Sequence, residues 1–171
     1  THFPITTKVP EVQAWFDQGN TLLHNFWFEE AERTFRWCLK LDPGCAMAYW
    51  GLARTGFTWF TRGPVDGPDD KRYLDFLAEA MRRKGTVTPR ERSYIEAWAD
   101  SYRSGEDKPQ AKLVKRLQKI VLDYPDDVEA KALFALFSID LGNAEASSPP
   151  KALDRRKLLA LVFSRQIDRS L

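Results

Sequence analysis

At 171 residues the chain is about one domain long, and 43% apolar with 29% charged residues is the balance of a folded protein rather than a disordered one. Twenty-six Lys and Arg against 24 Asp and Glu leave a formal charge of +2, too weak a field to call for nucleic acid or a membrane surface. Two Cys are too few for a disulfide scaffold, and the longest apolar runs, 132–137 and 158–163, fall far short of the ~20 residues a membrane span needs.

The pattern is helical nearly throughout. Pro10 opens a first helix, since the first N–H of a helix has no partner to lose, and Val12, Trp15, Phe16, Gly19, Leu22 and Leu23 follow at three- and four-residue spacing. Asn25 and Phe26 break it. A second helix is predicted over 28–41, stopped by Asp42-Pro43-Gly44, and a third over 45–60, with small residues between bulky ones. Residues 62–70 are dense in turn formers. A helix over 71–84 ends at Gly85, and Thr88-Pro89-Arg90-Glu91 is a capping box that opens another, to about residue 103. Helices over 109–123 and 128–141 follow, the latter stopped at Gly142. After the linker Ser147-Ser148-Pro149-Pro150 comes a last amphipathic helix, 151–169. No segment sustains period-two alternation over β-branched residues, so the fold class is all-α with about seven helices and no sheet.

Helix pairs on short turns call for a search for repeats. Trp15, Gly19, Leu22, Ala31, Phe35 and Pro43 have the spacing of a helix–turn–helix repeat of ~34 residues, and Tyr49 and Ala53 repeat the size classes of Trp15 and Gly19 one unit on. Leu117, Ile120 and Pro125 echo Phe35, Cys38 and Pro43 more weakly. Over 10–58 the chain resembles a tetratricopeptide repeat (TPR) protein. Residues 23–31, 42–51 and 88–92 are similar to a bacterial branch whose members are mostly known from sequence alone. The resemblance implies an α-solenoid with a peptide- or protein-binding concave groove lined by the first helix of each pair. It divides one domain into an extension (1–9), a first repeat (10–43), an interrupted second unit (44–88), a third (89–125), and a partial unit with linker and end helix (126–171).

Helical geometry then places candidates. Gln13, Phe16, Asn20, Leu23 and His24 share one face of the first helix; Met47, Trp50, Arg54 and Phe57 take the matching face of the next first helix, and Trp98 and Tyr102 that of the third. As a groove these are aromatic and Arg anchors for a protein segment. As an interior they are the filling of a tight, short solenoid. The family's carboxylate clamp uses Lys and Asn; Asn20 matches, but Phe16 stands where Lys is wanted, which favours an apolar or aromatic segment over a charged peptide end.

The other polar features have plainer readings. His24 reads as a helix-end residue capping carbonyls, Cys38 as packing, and a Cys38–Cys45 disulfide is disfavoured because Cys38 faces the helix pair. Glu29, Glu30 and Glu32 read as a solvated face. The end helix carries +4, which suits a cap over the last apolar face or a homo-oligomer contact. No phosphate loop, nucleophile elbow or dinucleotide fingerprint occurs, so no catalytic residue, metal or cofactor is assigned.

The expected function is a non-catalytic scaffold for a protein or peptide partner, with neither nucleic acid nor a membrane span. The alternative is an enzyme or small-molecule site around His24 and Arg54. The chain opens at Thr1 without Met or a signal-like segment, so the compartment, cytoplasmic or exported after processing, is not readable from this end.

Overall fold

The structure, a computed structural model, describes residues 2–56, 68–102 and 109–145. They form seven α-helices and one 3-10 turn, with no strand among the described residues. The fold is all-α. The chain divides into two compact units, residues 1–109 and 110–171.

In the first unit, α1 (Pro10–His24) begins on Pro10 with Glu11 in its first turn. It ends in a Schellman motif: the Trp27 N–H donates to the Leu22 carbonyl at 3.0 Å and that of Phe26 to Leu23 at 3.1 Å. Phe26 takes the left-handed position that usually falls to Gly, at φ 62°. The next helix, α2 (Phe28–Leu41), buries Ala31, Thr34, Phe35 and Cys38 on one face. The Asp42-Pro43-Gly44 stop holds through the Asp42 carboxylate, which accepts the Gly44 N–H at 3.1 Å. Nearly all of α3 (Ala46–Gly56) is buried, which makes it the central helix of the unit.

Each helix of this unit packs on the next, and α1 and α3 also meet. Such pairing is compatible with a solenoid-like arrangement. The small residues explain the close approach of α1, α2 and α3. Phe35 of α2 is wedged between two glycines: a Cβ on Gly19 would lie 2.7 Å from its Cε1, and one on Gly51 would lie 2.6 Å from the same atom.

Beyond the undescribed stretch, α4 (Pro68–Arg83) starts about one turn earlier than the predicted residue 71, on a proline suited to a first helical position. The 3-10 turn Lys84–Thr86 leads to α5 (Pro89–Ser101). The capping box is present: the Thr88 hydroxyl accepts the Glu91 N–H at 3.2 Å, and the Glu91 carboxylate accepts the Thr88 N–H at 2.9 Å. Thr88→Ala is expected to lower the stability of this unit by ~1 kcal/mol, read as a lower Tm in thermal melts.

The second unit holds α6 (Pro109–Asp123) and α7 (Val128–Glu145). Leu113, Leu117 and Ile120 form the buried stripe of α6. Asp127 caps α7 by accepting the Ala130 N–H at 3.1 Å. Gly142, expected to stop α7, lies inside it. A glycine costs ~1 kcal/mol in a helix but does not forbid one, and the residues after it are compatible with helix. The predicted end helix 151–169 lies outside the described residues. No helix among the described residues is long and apolar enough to cross a membrane.

Both thiols are free and buried. Burial, with the neighbouring Cys45, pushes the Cys38 thiol up to about 12. Burial likewise carries Cys45 to about 11, so both stay protonated and poorly nucleophilic at neutral pH.

Candidate functional site

Helices α1, α3 and α5 turn an aromatic face inward. Trp50 is at its centre. Its ring stands edge-on to Trp98 with centroids 5.3 Å apart, and to Tyr94 at 5.4 Å. Phe16 of α1 packs on Phe35 at 5.4 Å. The Arg54 guanidinium lies 4.6 Å from the Trp50 ring centre and 5.7 Å from that of Trp98. It also donates to the Asn20 carbonyl oxygen at 2.8 Å. Such a contact suits a largely desolvated guanidinium, because the ring faces and the amide replace lost water.

What closes this face is the segment before α1. Residues 2–7 carry no regular secondary structure and residues 8 and 9 bend; exposure alternates along the segment, with Phe3 buried, Ile5, Thr7 and Val9 half-buried, and His2, Pro4, Thr6 and Lys8 exposed. Phe3 is the anchor, 1% exposed. Its ring stacks on Phe16 (5.7 Å) and Trp50 (5.9 Å) and meets Tyr94 edge-on (5.2 Å), while the Arg90 guanidinium lies 4.1 Å from its centre.

The backbone of the segment is held by side chains projecting from helices and a turn. Asp17 accepts the Phe3 N–H at 2.9 Å. Gln13 works in both directions, accepting the Ile5 N–H and donating to the Phe3 carbonyl, each at 2.9 Å. Glu91 accepts the Thr6 N–H at 2.6 Å and its hydroxyl at 2.7 Å, and Arg90 donates to the Pro4 carbonyl at 3.2 Å. Asp42 accepts the Thr7 hydroxyl at 2.7 Å and the Lys8 N–H at 3.1 Å. These contacts reach from α1 across the α2–α3 turn to α5.

The sequence candidates fall into three groups. Phe16, Asn20, Leu23, Met47, Trp50, Arg54 and Trp98 are all buried, so of the two readings left open by helix geometry, groove and interior, these positions take the interior one. The physical reason, for Phe16 and Trp50, is that Phe3 covers them. His24, in the last turn of α1, and Tyr102, after α5, are half-buried, and the Asn25 amide also donates to the Thr21 carbonyl at the end of α1. Phe57 lies outside the described residues.

Sequence reasoning missed Phe3, Asp17, Asp42, Arg90 and Glu91 as site residues, and placed Gln13 on the right face without giving it a role. The one local signal was the inward period-two pattern Phe3, Ile5, Thr7, Val9 ahead of a helical proline.

Asp42 links this site to pH. Burial alone would raise its carboxyl, but the Thr7 hydroxyl, the Lys8 and Gly44 amides and the Lys8 charge outweigh that and hold it below its ordinary 3.8. A lowered carboxyl contributes stability that is fully present above 3.8 and is lost as pH falls through the lower folded value. Acid titration of unfolding should therefore show a loss beginning below about pH 4, and Asp42→Asn should make that loss shallower.

No group of three or more His, Cys, Asp or Glu side chains suited to a metal occurs among the described residues. No protein-family model and no curated protein matches the chain.

Proposed function

We propose that the chain is a non-catalytic scaffold of the tetratricopeptide-repeat kind, which holds an extended protein segment against the first helices of its pairs. The observation that supports this reading is that these helices already hold an extended segment. Residues 2–8 are gripped through backbone N–H and carbonyl groups by Asp17, Gln13, Arg90, Glu91 and Asp42, with one aromatic side chain sunk between the helices. Backbone capture with a side-chain pocket is how extended peptides are recognised generally.

With a net charge of +2 there is little long-range pull, so affinity comes from close contact and falls only modestly with salt. The test is affinity capture from the source cell with the wild-type chain and with a Gln13→Ala/Arg90→Ala chain. The expected result is a partner retained by the wild type and lost by the variant, with the helical circular dichroism of both unchanged. Equal recovery of the same proteins by both chains contradicts the reading.

A further inference from the structure

Residues 2–8 behave as a docked ligand more than as part of the helical framework. Among the described residues, no backbone–backbone hydrogen bond ties 2–8 to any helix. The polar grip comes from side chains fixed on α1, α5 and the α2–α3 turn, with one weak Cys45 thiol contact to the Thr6 carbonyl. Only Phe3 of the segment is fully buried. Both ends meet a carboxylate: His2 Nδ1 lies 2.8 Å from Asp17, and the Lys8 charge acts on Asp42. Lifting the segment away would uncover a cradle walled by Phe16, Trp50, Tyr94 and Arg90, with hydrogen-bonding groups already aimed along an extended chain.

We propose that this cradle is an exchangeable binding site for an extended segment of a partner protein with the pattern basic–aromatic–proline–aliphatic–hydroxyl, and that residues 2–8 are its built-in competitor. The inference rests on the scaffold reading above and names the ligand and the regulation of that site. Each element of the pattern has its counterpart: Asp17 for the basic residue, the aromatic cradle for the ring, and Arg90 for the proline carbonyl. Gln13 takes the amide of the aliphatic residue, and Glu91 the amide and hydroxyl of the fifth. The tether sets the threshold. A segment on a short link has an effective concentration in the millimolar range, so a free segment at micromolar level competes only with an affinity about 1,000-fold higher, or after the tethered one is weakened.

The experiment uses a fluorescent peptide with the sequence of residues 2–8, and a control peptide with Ala in place of its Phe. The Phe3→Ala chain should bind the first at least 10-fold more tightly than the wild type does, and neither chain should bind the control. If Phe3→Ala loses its helical circular dichroism, a second chain with a protease site inserted between Lys8 and Val9 is cleaved and dialysed. It should keep its helices and then bind the peptide. Unfolding on release of the segment, or a folded emptied chain that ignores the peptide, overturns the proposal. So does a concentration-dependent dimer of the wild type that Phe3→Ala abolishes, which assigns the segment to a second copy of this chain. Failure here alongside loss of the captured partner in Gln13→Ala/Arg90→Ala removes the exchange but leaves the scaffold.

Discussion

Trp50→Ala should destabilise the first unit by about 3–5 kcal/mol, the usual cost of truncating a large aromatic in a packed interior. Trp50 is fully buried and touches rings from three directions: Phe3 before α1, and Tyr94 and Trp98 on α5. Its loss also strips Arg54 of the nearer of two ring faces. A domain of this size is stable by only about 5–15 kcal/mol, so most of the margin goes. Urea unfolding followed by circular dichroism checks this; a midpoint that falls by less than the equivalent of ~1 kcal/mol would place Trp50 on a surface. Trp50→Phe should cost less, because it keeps a ring and removes an indole N–H that has no hydrogen-bond partner among the described residues.

Gly19→Trp should prevent the first unit from folding. Even a methyl group at Gly19 would come within 3 Å of Phe35, and the same edge of that ring already lies as close to Gly51. Gly19→Ala is the graded form. Helix propensity would favour alanine by up to ~1 kcal/mol, but overpacking of about 1–3 kcal/mol opposes it and sets the sign. Shrinking the wedge with Phe35→Leu should recover part of that loss in a double-mutant cycle. Additive effects of the two changes would show that ring and glycine do not meet.

These two positions also show what could be read in the sequence and what could not. The bounds of α2, the Asp42 stop and the Thr88 capping box follow from residues within a turn of one another, and local chemistry decides them. Gly19 was legible as a small residue in the helix–turn–helix spacing that also holds Phe35, and the structure sets Gly51 against the same ring edge. Trp50 and Trp98 were legible as members of one inward face, but not as groove or interior. A concave surface and a covered one carry the same helical spacing, and the difference lies in what covers it. The cover is Phe3, whose neighbours Thr6 and Glu91 bond across 85 positions of sequence. No period within a helix encodes such a contact. Gly142 failed in the opposite way, as a local stop signal that the surrounding helix overrides.

Native-state hydrogen exchange of the leading segment tests the account most directly. The amides of Phe3, Ile5, Thr6 and Lys8 each donate to a side chain of the body. They should be protected, yet open with a smaller free energy than the amides of α1 and α3, as a docked segment that leaves without unfolding its cradle would. Exchange of these four amides at the rate of an unstructured peptide, or opening only together with α1 and α3, would contradict it.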